Sequence, residues 1–300
     1  MVHLTYKVAA IVTCYNRKEM TLQCLSQLFT ASERCSYARI ELHVYLTDDN
    51  CTDGTADAVK ERFPNQDIDI IKSGGDAFWA GGMRLAWHAA MSDRMDWDFY
   101  FLFNDDTFFE ANAFDTLIQT HYYALKTYGK PGVYSGLICS LDDPDVITYG
   151  GKEYHGLFGR AKCVAPQGIP LECKMINANC LLICRDVVES IGLFDDQFQH
   201  SCADWDYGIR ASNSHFPVLV TGIICGKCND DHENEREIME SVSRMSIQER
   251  KAFFSHPLRA TSDLLLFMKK HYRYKYVITY LARLLNIYSP RLYYYATRFR

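Results

Sequence analysis

The sequence predicts an α/β protein with a mainly parallel central sheet flanked by helices and a C-terminal helical extension. Three observations carry that expectation. Apolar strand-like runs alternate with helical patterns through roughly the first hundred residues. Adjacent carboxylates stand directly after two of those runs. Beyond Ser241 the pattern turns helical, aromatic and basic. Repeated βα units imply right-handed crossovers, parallel strands and ligands bound at the strands' carboxyl ends.

Taken in order, Val8 to Thr13 reads as a strand buried on both faces. Lys18 to Thr30 places Leu22, Leu25, Leu28 and Phe29 at helical spacing, and Ile40 to Thr47 is a second strand. Thr52-Asp53-Gly54-Thr55 opens a helix with Thr52 or Asp53 as its cap. Ile68 to Ile71 is a short strand, Ala80 to Ser92 a helix, and Trp97 to Phe103 the fourth strand. Val133 to Cys139, Ile176 to Cys184 and Pro217 to Ile224 read as later strands, with a long excursion from Asp142 to Glu172 and a short helix from Asp204 to Ser212. Helices are expected beyond Ser241, broken at Pro257 and Pro290.

The fourth strand, Phe99-Tyr100-Phe101-Leu102-Phe103, runs straight into Asn104-Asp105-Asp106. Two ionised carboxylates side by side repel, so a positive charge should compensate them. Oxygen ligands with open positions suit Mg²⁺ or Mn²⁺ bridging a diphosphate. A solvated acidic turn is the plain alternative, but Asp48 and Asp49 also fall at a strand's carboxyl end.

Length and composition fit this reading. Three hundred residues with 48% apolar and 23% charged content suit one large domain with an appendage. Twelve cysteines, several inside apolar runs, read as free thiols of a reducing compartment, and Cys225-Gly-Lys-Cys228 as a structural pair. The N-terminus lacks the marks of a secretory signal, and no window approaches the ~20 apolar residues of a membrane span. From Arg244 to Arg300 twelve Lys and Arg face only Glu249 and Asp263, a surplus of ten, so the remainder carries −15 of the formal −5. An acidic body with a basic tail calls for an anionic partner.

Four segments share one order: Val12-Thr13-Cys14-Tyr15-Asn16-Arg17; Thr47-Asp48-Asp49-Asn50-Cys51-Thr52-Asp53-Gly54-Thr55; Asn104-Asp105-Asp106; and Asp204-Trp205-Asp206-Tyr207-Gly208-Ile209-Arg210. Together they resemble family 2 glycosyltransferases over roughly residues 7 to 230, and Gly81-Gly82-Met83 with the basic tail looks most like bacterial rhamnosyltransferase-like members. The resemblance implies the GT-A type nucleotide-diphospho-sugar transferase fold over residues 1–240, with 241–300 as a basic aromatic helical extension. It implies inverting, metal-dependent transfer from a UDP- or dTDP-sugar to a polysaccharide or lipid-linked acceptor.

By that resemblance Thr13, Tyr15 and Arg17 belong to the nucleotide site, and Asp48 or Asp49 receives the base imide. Asn104 and Asp105 meet the ribose and diphosphate; Asp105 and Asp106 hold Mg²⁺ or Mn²⁺, with His232 as a third ligand. Trp79, Gly81, Gly82, Arg84 and Asp206 belong to the sugar side. Trp79 either lines the sugar pocket or packs in the core, and Arg84 contacts phosphate or forms a structural ion pair. Asp204 is the base toward the acceptor hydroxyl, and Asp206 pairs with Arg210 along one helix face. The sequence departs from the family pattern at Arg84, where an Asn is usual, at Asn104, the first slot of an Asp-x-Asp motif, and at Ala203, where a Glu is common.

In the tail, Lys269-Lys270-His271-Tyr272-Arg273-Tyr274-Lys275-Tyr276 and Arg291-Leu292-Tyr293-Tyr294-Tyr295 interleave cations with rings. This suits a peripheral contact of residues 244–300 with the inner face of a membrane, in a cytoplasmic protein, or a helical lid packed on the body. The acidic body argues against nucleic acid. Two rival readings are a non-catalytic nucleotide-sugar or glycan-binding protein of the same fold, and a nucleotidyltransferase. The latter wants a Gly-rich loop with a Lys after the first strand, and Cys14-Tyr15-Asn16-Arg17 supplies neither.

Overall fold

The computed structural model describes residues 4–154, 161–229, 235–259 and 261–297. The first half follows the expected alternation: β1 (Thr5–Cys14), α1 (Lys18–Glu33), β2 (Arg39–Asp48), α2 (Thr55–Arg62), β3 (Ile68–Lys72), α3 (Phe78–Ser92) and β4 (Phe99–Phe103). Then come β5 (Phe108–Phe109), α4 (Ala113–Tyr128), β6 (Val133–Cys139), β7 (Ile147–Tyr149), β8 (Gly151–Tyr154), β9 (Ala161–Cys163), β10 (Leu171–Glu172), β11 (Met175–Ile176), β12 (Cys180–Cys184), α5 (Arg185–Ile191), α6 (Ala203–Asn213) and β13 (Val218–Lys227). The chain closes with α7 (Glu235–Arg244), α8 (Ile247–Ser255), a 3₁₀ turn Pro257–Arg259, α9 (Thr261–His271), α10 (Arg273–Tyr288) and α11 (Pro290–Thr297).

The central sheet runs β10-β13-β6-β12-β4-β1-β2-β3. Strands β3, β2, β1 and β4 are mutually parallel, and β13 is parallel to β6. Strand β12 runs antiparallel between β4 and β6. Its register sets Cys180 opposite Phe103, so Asn177–Asn179 lie beside the turn that carries Asp105 and Asp106. All five residues of β4 are buried, as a strand covered on both faces requires.

Helix α3 packs closely on this sheet because of Gly82: a Cβ there would lie 2.3 Å from Thr13 Oγ1. Thr47 Oγ1 donates to the Gly82 carbonyl at 2.8 Å, locking helix to strand.

Three sequence expectations are corrected in extent. The single strand Ile176 to Cys184 is two, because the polar Asn177-Ala178-Asn179 leaves the ladder between β11 and β12. The fourth strand begins at Phe99 rather than Trp97, whose indole instead donates to the Ala90 carbonyl. The excursion from Asp142 to Glu172 contributes short strands to both the main sheet and a small second sheet, β11-β8-β9. Helix α7 spans Glu235–Arg244. The tail is joined to the body by ring contacts, Phe267 packing on Trp205 at 5.6 Å and Tyr272 on Tyr154 at 5.2 Å.

Candidate active site

The carboxyl ends of β1, β2, β4 and the turn before β12 meet along one edge of the sheet. Parallel register pairs Cys14 with Asp48, and Ile11 with Leu102, three residues before Asp105. Backbone strain gathers here: Asn16, Asn50, Phe78 and Cys202 all adopt positive φ without being glycine. These four follow β1, follow β2, open α3 and precede α6.

At the end of β4, Asp105 is buried and Asp106 half-buried. Arg17 Nη1 bridges them, 2.5 Å from Asp106 Oδ2 and 3.4 Å from Asp105 Oδ1. Thr21 Oγ1 donates to the other oxygen of Asp105 at 3.2 Å. Burial pushes the Asp105 carboxyl up to about 7; Arg17 opposes that rise and Asp106 adds to it. Two carboxylates therefore converge on one positive charge, and a further cation is favoured. An oxygen-only donor pair with one member open to solvent fits Mg²⁺ or Mn²⁺, whose shells keep water and substrate phosphate. His232 lies outside the described residues, as do Asp230 and Asp231 beside it.

The two aspartates after β2 have different surroundings. Asp49 accepts Ser73 Oγ and the backbone N–H groups of Gly75 (3.0 Å), Ala77 (3.2 Å) and Phe78 (3.1 Å). It holds the Gly-rich loop and the start of α3. Asp48 accepts one N–H, from Cys51 at 2.8 Å, and Cys14 and Cys51 stand beside it with their sulfurs 3.8 Å apart. Of the two, Asp48 keeps more acceptor capacity. Tyr15 is 58% exposed at this edge, as a ring available for stacking must be.

Trp79 Nε1 donates to Asn104 Oδ1 at 2.8 Å while its ring packs on Phe194. That bond fixes the Asn104 amide, whose position in the sequence resembles a metal-ligand slot. Arg84 donates to the backbone carbonyls of Asp195 (3.1 Å) and Phe198 (2.7 Å). It thus ties α3 to the loop leading into α6. Thr13 and Gly82 meet at the close helix–strand contact, and at Gly81 a Cβ would meet only ordinary contacts.

Asp204 stands in the first turn of α6 and is buried. Its carboxylate accepts Ala178 N–H at 3.2 Å, Asn177 Nδ2 at 3.4 Å and Trp205 N–H at 2.9 Å. Burial raises its pKa to about 6, although those three donors pull the other way. Its anchors are the residues that the β12 register sets opposite the Asp105 turn. A carboxyl poised near neutrality is suited to take a proton from a hydroxyl.

Asp206 is fully buried and accepts Arg210 Nε (2.7 Å), Lys270 Nζ (2.6 Å) and His271 Nε2 (2.8 Å). Burial alone would raise its pKa; the hydrogen bonds from His271, Lys270 and Arg210 outweigh it and hold the carboxyl down to about 2.

Residues 9–128 match the model for glycosyl transferase family 2. That segment is therefore similar to glycosyl transferase family 2 domains. No curated protein sequence matches the chain. A mannosyltransferase of Pyrobaculum calidifontis, solved with GDP-Man and Mn²⁺, is similar in structure with TM-score 0.53 at 12% identity, covering 93% of this chain and 74% of that one. TarS 1-349 of S. aureus is similar with TM-score 0.52 at 13% identity, covering 95% of this chain and 82% of that one. At such identities the likeness shows a shared fold, the GT-A fold, and the activity class of the family 2 domain is glycosyl transfer.

Sequence reasoning missed the support that the tail gives this candidate site. Asp263, buried in α9, accepts the N–H groups of Gln199 (3.3 Å), His200 (2.8 Å) and Ser201 (2.8 Å). Those residues form the loop that ends at the strained Cys202 and delivers Asp204. One signal was available: Asp263 is one of only two acidic residues in the otherwise basic tail. Asn177 also went unread, though an Asn-Ala-Asn triplet breaking an apolar run is a polar feature needing a purpose.

Proposed function

We propose that this domain moves a sugar from a nucleoside diphospho-sugar, UDP- or dTDP-linked, to a hydroxyl of a polysaccharide or lipid-linked acceptor, with inversion at the anomeric carbon. Rhamnosyl transfer in cell-surface polysaccharide synthesis is the form this reading favours, and the acceptor is met at the cytosolic face of a membrane. Twelve free thiols support a reducing compartment. The observation that carries the reading is the pairing of two kinds of carboxylate at one sheet edge. Asp105 and Asp106 share a cation, and Asp204, raised to about 6, is anchored opposite them.

Each residue then has a task. Tyr15 stacks on the base and Asp48 receives its imide N–H. Asn104, held by Trp79, meets the ribose, and Arg17 serves the diphosphate. Asp105 and Asp106 would hold Mg²⁺ or Mn²⁺, which when bound neutralises the departing diphosphate. Asp204 removes the acceptor proton as the hydroxyl attacks, so no protein acid is needed on the leaving side. Asp49, Gly82 and Arg84 position the loops around the donor. Asp206, with all its described contacts inside the protein, orients α6.

The test is a transfer and hydrolysis assay over UDP-, dTDP- and GDP-sugars with Mn²⁺, Mg²⁺ or EDTA. Turnover with one donor, lost in EDTA and in Asp204→Asn, is expected. Tight nucleotide binding with no turnover on any donor would instead support the non-catalytic binding protein, for which the departures at Asn104 and Ala203 are the specific grounds.

A further inference from the structure

We propose that the outer face of α10, continued by α11, docks on an anionic lipid surface. This deepens the membrane-face part of the proposed function, and its test needs no sugar donor, so either can fail without the other.

Tyr274, Val277, Leu281 and Tyr288 are each 49–57% exposed. At about 100° per residue they fall within an arc of about 60° on α10. The next helix exposes Leu292 and Tyr295, at 58% and 62%. Single exposed apolar residues are ordinary, but a stripe of large ones along one helix marks a contact surface. The opposite side of α10 is already committed. Lys275 and Ile287 are buried there, and Arg283 donates to the Phe254 carbonyl and Ser255 Oγ of α8. The helix is thus held on the body with its apolar stripe turned outward.

Charge selects the partner. From Leu264 to Arg300 the chain carries eight Lys and Arg and no Asp or Glu. Arg273 and Arg291 are exposed on the same two helices as the stripe, Lys269 is exposed near the end of α9, and Lys251 lies 5.6 Å over the Tyr288 ring. Since α10 and α11 carry no carboxylate of their own, a second copy laid helix on helix here would bring like charges together. Tyrosine and aliphatic side chains fringed by cations match instead the boundary between lipid headgroups and acyl chains. Among the described residues no helix is long and apolar enough to cross a membrane, so the contact lies in the interface plane.

The experiment is vesicle co-sedimentation of the full chain, comparing pure phosphatidylcholine with vesicles containing about one-third phosphatidylglycerol. Binding to the anionic vesicles only, weakened by raised salt, is expected. The apolar pair Val277→Asp with Leu281→Asp, and separately the charge pair Arg273→Glu with Arg291→Glu, should each weaken it at least tenfold. Circular dichroism should leave both variants with the wild-type helix content. Failure of the wild type to sediment overturns the proposal, as does equal sedimentation of the apolar pair. So does sedimentation velocity that shows a dimer abolished by that pair, which would make the occupant a second copy.

Discussion

Replacing Asp204 by Asn should separate catalysis from stability. The carboxyl is buried and its pKa is raised from 3.8 to about 6. One pKa unit is about 1.36 kcal/mol, so a gap of about two units makes the ionised form roughly 3 kcal/mol less favourable in the folded chain. The sign follows from proton binding. The folded state holds this proton more tightly than the unfolded state, so stability is greatest below 3.8 and falls as pH rises to about 6. Above that the full penalty stands. Asparagine carries no charge and keeps one acceptor oxygen, while losing the other costs about 1 to 2 kcal/mol. At pH 8 the variant should therefore gain about 1 to 2 kcal/mol, a rise of a few degrees in Tm. At pH 4.5 the gain should shrink or reverse, because the wild-type carboxyl is then mostly protonated. Turnover at pH 8 should fall by about a hundredfold or more. Differential scanning calorimetry at both pH values, beside a donor-turnover assay, measures each part. A Tm lowered equally at both pH values would refute the reasoning, since the buried charge would then carry no penalty.

Other outcomes follow from the same contacts. Asp106→Ala, at a half-buried position, should leave Tm within about 1 kcal/mol equivalent and abolish metal-stimulated turnover, read by titrating Mn²⁺ against rate. The pH profile of kcat/KM should show an acid limb near 6, set by Asp204, that is absent from the residual activity of Asp204→Asn. Asp263→Ala strips three N–H groups of their acceptor; it should cost about 2 to 4 kcal/mol by urea unfolding and lower kcat more than donor affinity. Gly82→Ala drives a Cβ toward Thr13 Oγ1, and it should destabilise by about 1 to 3 kcal/mol in the same unfolding assay.

Local pattern made part of this molecule legible. Strand β4 announced itself because five apolar residues and a carboxylate pair are contiguous, and the βα alternation needed only nearest-neighbour periodicity. The choice between Asp48 and Asp49 was not legible, because it depends on whether a loop two elements later folds its amides onto one of them. That loop chose Asp49. Arg84 looked like a ligand of phosphate or a carboxylate, yet its described partners are main-chain carbonyls of Asp195 and Phe198, which no side-chain pattern encodes. The raised pKa of Asp204 likewise depends on how the chain buries it, beyond any motif.

The tail shows how a net charge read from sequence divides once the chain folds. Its surplus of ten suggested a single task, attraction of an anion. Folding splits the cations between two faces. Lys270 binds Asp195 and Asp206 at 2.6 Å each, and His271 adds a third hydrogen bond to the same buried Asp206. Lys270 thus adds a second positive charge to the buried Asp206, which Arg210 of the body already pairs, and one to the partly buried Asp195. Asp263 works in the opposite sense, one of two acids in the basic tail, and collects three amides of the loop before Asp204. Lys269, Arg273 and Arg291 remain outside. Because α9 holds the loop that delivers Asp204 and leads directly into α10, a surface docked through α10 is mechanically continuous with the proposed base. Removing residues 261–300 should therefore abolish turnover on a water-soluble acceptor as well as on a membrane one. If the truncated chain kept its activity on the soluble acceptor, the tail would be an anchor alone, and the contacts to Asp206 and the 199–201 loop would have no catalytic consequence.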